Sequence, residues 1–187
     1  MTVSADTPAA RVALVAGAFD RRADPVPLGR ALAAAFARRG WDVALQCGPG
    51  AARADADAAA ADAAALGRRA AVLDADLALE GDAATLIAAC GATLGRPACA
   101  VFVTACAGAD DAQTIDGATL AAALADATPD AARDDESLRA CAIHVLDQAL
   151  FHPAPAQLSH ALMQAALSRA TSALALALAP KVRVAAL

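Results

Sequence analysis

The sequence predicts an α/β fold, a doubly wound parallel sheet of about six strands. Three observations carry that expectation. Short apolar runs recur along the 187 residues, each bounded by glycine, proline or polar residues. Longer alanine- and leucine-rich stretches of helical composition separate them. The two alternate from Arg11 to Val103, and such alternation needs crossover connections, which make neighbouring strands parallel.

Arg11–Ala16 (RVALVA) reads as a buried strand that ends in a turn at Gly17. Leu28–Arg39 follows with Leu28, Leu32, Ala35 and Phe36 on one helical face, and Gly40 supplies the stop signal. Trp41–Gln46 is the second strand, Asp55–Leu66 an alanine-rich helix, and Ala70–Leu73 the third strand. Asp82–Leu94 reads as a helix closed by Gly95 and Pro97, and Ala98–Val103 as the fourth strand. Asp110–Arg139 is polar, and the pattern there supports at most one short helix at Thr119–Ala125 and a fragment near Ser137. Cys141–Leu146 is the fifth strand. Gln157–Ala179 has helical composition and ends at Pro180, since alanine and leucine lack the branching that strands favour. Lys181–Leu187 is the sixth strand.

The length suits one domain, residues 1–187, with a sizeable core. Aromatics make up 3%, so that core must come from leucine, valine and alanine. A net charge of −5 with scattered arginine pairs disfavours nucleic acid as a partner. Five cysteines, an odd count without CxxC, read as isolated thiols of a reducing compartment. Neither a signal peptide nor a run of membrane-spanning length is apparent, the longest apolar run lying near Ala173–Ala179, so the expectation is a cytoplasmic protein with no membrane partner. His144, His152 and His160 fall on a strand, a loop and a helix start, and no metal-ligand spacing connects them.

The strand–glycine turn–helix opening and WDVAL resemble the start of the short-chain dehydrogenase/reductase family, which implies a Rossmann-like fold. From Ile143 to Val184 the stretch HVLDQALFHPAPAQLSHALMQAALSRATSALALALAPKVRV resembles its pteridine reductase branch. That branch implies an aspartate, then Tyr-x-x-x-Lys on the helix that follows. Asp147 falls on the aspartate, His160 thirteen residues on stands at the tyrosine, and Gln164 stands at the lysine. In the family the tyrosine donates a proton, and the lysine ammonium lowers its pKa and holds the nicotinamide ribose. The chain has no tyrosine or asparagine and one lysine, Lys181, which lies beyond the helix. His160 retains a titratable proton, whereas Gln164 carries no charge.

The resemblance also implies a cofactor site for NADP(H). Gly17 would open the phosphate turn and Leu28-Gly29 would close it. Arg22 is placed to meet a phosphate, Asp76 and Leu77 match the adenine-contacting pair, and Thr104 stands where the family has asparagine. The intervening Ala18–Pro27 is longer than the family loop and holds Pro25 and Pro27, which lack backbone donors for a phosphate cradle. Cys47-Gly48-Pro49-Gly50 offers no cation for a 2′-phosphate. The short region between strands four and five implies a shortened or absent interface helix, and no counterpart of the family's last helix and seventh strand follows strand six. The leading expectation is a catalytically degenerate member. It would act as a binding or assembly subunit, a homo-oligomer or a hetero-oligomer with a related reductase through the Gln157–Ala179 helix. The alternative is an NADPH-dependent reductase of a dihydropterin or dihydrofolate with Asp147 and His160 handling protons. A third reading is pterin or nucleotide binding without turnover.

Overall fold

Parallel pairing orders the strands β3-β2-β1-β4-β5-β6, which confirms the doubly wound sheet. The structure is a computed structural model that describes residues 10–19, 26–48, 53–77, 79–103, 113–152 and 154–187. The strands are β1 Val12–Ala16, β2 Asp42–Cys47, β3 Ala70–Asp74, β4 Pro97–Val103, β5 Ala140–Val145 and β6 Val182–Ala186. The helices are α1 Val26–Arg38, α2 Arg53–Ala65, α3 Asp82–Thr93, α4 Gln113–Ala127 and α5 Leu158–Leu178.

Successive residues of a strand point to opposite faces, so each central strand feeds two cores. Val15, Val43, Leu45, Val101 and Val103 pack with Ala33 and Ala37 of α1 and Ala56, Ala59 and Ala63 of α2. Alanine at these helix positions buries little area per residue but lets the helices lie close to the sheet. On the other face Leu14, Ala16, Phe102 and Ala142 meet Leu86 and Ile87 of α3, Leu120 and Leu124 of α4 and Leu167 of α5. Leu86, Leu120, Leu124 and Leu167 are fully buried. Each contributes about 1.5–3 kcal/mol of transfer free energy.

The two faces are unequal beyond β4. Ala140, Ala142 and His144 of β5 and Val182 and Val184 of β6 are buried under the α3–α5 layer. Cys141, Ile143 and Val145 on the opposite face are half-buried, and Arg183 and Ala185 beside them are exposed.

Two expectations need correction. The stretch between β4 and β5 holds α4, a helix of 15 residues that extends well beyond the short helix expected at Thr119–Ala125, and it packs against both α3 and α5. Gly117 disguised it, because glycine in a helix interior costs about 1 kcal/mol relative to alanine. Here the missing side chain is needed: a Cβ on Gly117 would lie 2.8 Å from the Phe102 ring. The acidic run Asp134–Glu136 is exposed, with Asp135 accepting from the Ser137 backbone at 2.9 Å and Glu136 pairing with Arg183. Finally, α5 with 21 residues is long and apolar enough to cross a membrane by length and composition, which the run near Ala173–Ala179 did not reveal. In this fold it is a layer on the sheet that buries Ala161, Gln164, Leu167 and Thr171.

Candidate functional site at the carboxyl edge of the sheet

Because every strand runs the same way, all six carboxyl ends share one edge. The strand order reverses between β1 and β4, and the crevice outside that pair is where open α/β sheets bind ligands. Gly17 sits at its floor with φ +74°, and a Cβ there would lie 2.2 Å from the Val103 carbonyl oxygen. Only glycine fits. Ala18 and Phe19 turn inward and are fully buried. Gly29 lies so close over them that a Cβ would sit 2.8 Å from that of Ala18. Leu28, beside it, is exposed. The turn and the start of α1 are thus packed tightly together. Arg22 and Thr104 lie outside the described residues.

A residue that pattern reading passed over organises this edge. Gln46, buried in β2, accepts the Gly17 N–H through Oε1 at 2.9 Å and donates from Nε2 to the Ala75 carbonyl at 2.8 Å. One side chain therefore stitches together the ends of β1, β2 and β3. It also commits the Gly17 N–H to the protein. The signal for it was a glutamine inside an otherwise apolar strand.

Beyond β3, Asp76 and Leu77 follow directly, both half-buried, with Leu77 against the core. The Asp76 N–H donates to Asp82 Oδ2 at 2.9 Å, which ties this corner to the start of α3. The cation near the end of β2 is Arg53 at the start of α2, paired with Asp57 at 3.0 Å and Asp74 at 2.6 Å. It lies three residues past the stretch that sequence reading searched for a charge. Burial pushes the Cys47 thiol up, and Arg53 opposes that.

At the other end of the edge, the structure gathers Asp147, His160 and Gln164. Asp147 follows β5, and the first turns of α5 carry the other two on one face. His160 Nε2 lies 3.9 Å from Asp147 Oδ1. Gln164 is 1% exposed, and its Oε1 accepts the Asp147 N–H at 3.0 Å. Lys181 enters β6 at the opposite edge and pairs with Asp130 at 3.2 Å. It is remote from this cluster, as its place beyond the helix implied.

Beneath the site lies a buried polar contact that the sequence did not announce. His144 Nε2 is 3.1 Å from the Gly117 carbonyl, which can only accept, so that nitrogen carries a proton. His144 Nδ1 is 2.7 Å from Thr171 Oγ1. Burial pushes the imidazole below its ordinary value, and the Gly117 carbonyl opposes this. In the neutral ring Nδ1 accepts from the threonine hydroxyl, which otherwise donates to the Leu167 carbonyl at 2.7 Å. The contact joins β5, α4 and α5 under the Asp147 cluster.

No protein-family model matches the sequence, and no curated protein matches it either. Solved structures do. FolM alternative dihydrofolate reductase 1 from Brucella suis, in complex with NADP, superposes with a TM-score of 0.72 at 25% identity over 94% of this chain and 73% of that one. The fold is that of the short-chain dehydrogenases/reductases. A short-chain dehydrogenase/reductase from Burkholderia xenovorans gives a TM-score of 0.76 at 21% identity, over 95% of this chain and 75% of that one. An oxidoreductase from Escherichia coli K-12 gives 0.77 at 20% identity, over 95% and 74%.

Within that fold, the sequence-predicted residues divide into two groups. Gly17, Leu28, Gly29, Asp76 and Leu77 line up along the β1–β3 side, and Asp147, His160 and Gln164 gather beyond β5. For a dinucleotide, the described residues give a tight glycine turn and an ordered β3 corner. They withhold the Gly17 N–H, which Gln46 already occupies.

Proposed function

We propose that this chain is a catalytically degenerate protein of the short-chain dehydrogenase/reductase fold, related to the pteridine reductase branch, that serves as a binding or assembly subunit. The observation that carries this reading is the fate of Gln164. At the position corresponding to the family lysine stands a buried neutral amide whose oxygen is spent on the Asp147 backbone. An amide there cannot lower a neighbouring group's pKa as an ammonium does. The commitment of the Gly17 N–H to Gln46 adds to it at the phosphate turn. The surface offered for assembly is α5, where Leu158, Leu162 and Leu176 are exposed. The partner is a second copy or a related reductase.

Calorimetry with NADPH and NADH, with native mass spectrometry on the same sample, tests this reading. It expects no cofactor-dependent turnover and a stable assembly. A monomer that oxidises NADPH in the presence of a dihydropterin overturns it.

A second reading, an NADPH-dependent pteridine reductase, draws on one contact. His160 and Asp147 stand 3.9 Å apart at the carboxyl edge, where an acid and its partner are needed. The likeness to the Brucella suis alternative dihydrofolate reductase in complex with NADP is consistent with it. Under this reading His160 would donate the proton and Asp147 would orient it, and Gly17, Gly29, Asp76 and Leu77 would hold an NADPH whose chemistry is hydride donation. His160→Ala would then abolish NADPH oxidation while leaving cofactor affinity intact. A pterin carrier without turnover would instead gain thermal stability from the pterin, with no change in nicotinamide absorbance.

A further inference from the structure

We propose that Cys141 and Cys99 form a thiol-modification site, in which Cys141 reacts with a hydroperoxide and Cys99 resolves the product to a reversible disulfide. The sequence reading of isolated thiols does not hold for these two. Cys99 of β4 and Cys141 of β5 are registered partners on adjacent parallel strands, so both side chains project from the same sheet face. Neighbouring strands lie about 4.8 Å apart. That falls inside the range of roughly 4.4–6.8 Å between the Cα atoms of disulfide-bonded cysteines. The register therefore sets the two thiols side by side on one face of the sheet.

The pair is asymmetric in the way that peroxide chemistry needs. Cys99 is 2% exposed, whereas Cys141 is half-buried on the less covered face of β5. Arg183 is the registered neighbour of Cys141 on β6 and is exposed on that same face. The neighbouring Cys99 holds the Cys141 thiol below its ordinary value, with Arg183 adding to this against the effect of burial. The neighbouring Cys141 and burial push Cys99 up. Exposure and the Arg183 neighbour assign Cys141 as the attacking thiol and Cys99 as the resolving one. The thiols of Cys90, pushed up to about 11, and Cys47, also pushed up, are held protonated by burial. They are correspondingly inert.

The chemistry balances without any group from the site edge. The Cys141 thiolate attacks the distal oxygen of the hydroperoxide; the S–O bond forms and the O–O bond breaks. The alcohol or water leaves with one proton, and the sulfur, oxidised by two electrons, is a sulfenic acid. The Cys99 sulfur then attacks it. The S–S bond forms, the S–O bond breaks, and hydroxide leaves with the Cys99 proton as water. A dithiol reductant reverses the bridge by exchange.

The test uses the full chain and hydrogen peroxide. After peroxide, free thiols are alkylated and the protein is digested with chymotrypsin, which cuts after Leu94 and Phe102 and so separates Cys99 from Cys90 and Cys106. The expected product is one bridge between the Cys99 and Cys141 peptides, with two hydrogens lost from the intact mass and restored by dithiothreitol. In Cys99→Ala, Cys141 is expected to be trapped by dimedone instead, and in Cys141→Ala neither product forms. Wild-type protein that keeps all its thiols free, or that joins other cysteines, overturns the proposal, and this arm needs no variant to fold. A folded Cys99→Ala with no Cys141 adduct overturns it as well.

Discussion

The carboxamide oxygen of Gln164 accepts the backbone N–H of Asp147 at 3.0 Å, from a side chain that is 1% exposed. This fixes the segment after β5 against the first turns of α5. It also makes Gln164 a structural residue whatever else the site does. Replacing Gln164 with methionine keeps the volume and removes the acceptor, leaving the Asp147 N–H to find another. The expected loss is about 1–3 kcal/mol. For a chain of this length each kcal/mol lowers Tm by roughly 2–4 °C. Urea denaturation of Gln164→Met against wild type measures it, and an unchanged midpoint would remove the structural role argued here.

The glycine at the crevice floor makes a second comparison. Gly17 and Gly40 have similar positive φ, +74° and +84°, but a Cβ on Gly17 would strike the Val103 carbonyl whereas one on Gly40 meets nothing within 4 Å. Gly40→Ala should therefore cost only the left-handed backbone strain, about 1–2 kcal/mol. Gly17→Ala should cost clearly more, because β1 and β4 must separate or the turn must move. Thermal denaturation of the two variants in parallel isolates the close approach. Equal losses would mean that the crevice floor yields.

These two glycines also show what was legible in the sequence. Val12–Ala16 followed by Gly17 was readable because a buried strand ending at a left-handed turn leaves a local trace, and the remaining strands left similar ones. Asp147, His160 and Gln164 were expected as a group from the resemblance to the pteridine reductase branch, and the i, i+4 spacing puts His160 and Gln164 on one helix face. Gln46, Arg53 and the His144–Thr171 pair were not. Each acts through a partner 21 to 29 residues away, and neither spacing nor composition records such pairings. α4 was underestimated for a related reason: the fit of Gly117 against Phe102 is a tertiary fact, and locally the glycine only argues against a helix.

His144 predicts a pH dependence. Its folded value lies below the ordinary one, through burial, so the unfolded chain takes up its proton first as pH falls. Stability from this residue is complete above about pH 6.5, the ordinary histidine value, and is lost progressively from there down to the lowered folded value. The slope contributed is at most about 1.4 kcal/mol per pH unit. Urea midpoints at pH 7.5 and pH 5.5 should fall for wild type by more than for His144→Gln, which cannot titrate. Identical slopes for the two proteins would assign the acid sensitivity elsewhere.

The outer face of α5 supports the last prediction. Leu158 and Leu162 are 59% and 61% exposed one turn apart, and Leu176, four turns further along, is 84% exposed. Leucine side chains exposed to this degree on one helix face, with Ala165, Arg169, Ser172 and Ala173 between them, form a face that a second helix can cover. The same helix buries Leu167 and Thr171 on its inner side, so changes to the outer leucines should leave the fold intact. Leu162→Glu with Leu176→Glu should convert an oligomer to a folded monomer, with unchanged circular dichroism and a stability shift within roughly 0.5 kcal/mol per site. Analytical ultracentrifugation of both proteins reads the outcome. A wild-type monomer would remove α5 as an assembly surface. An oligomer that survives the double substitution would move the interface to another face, of which the half-covered side of β5 and β6 is the next to test.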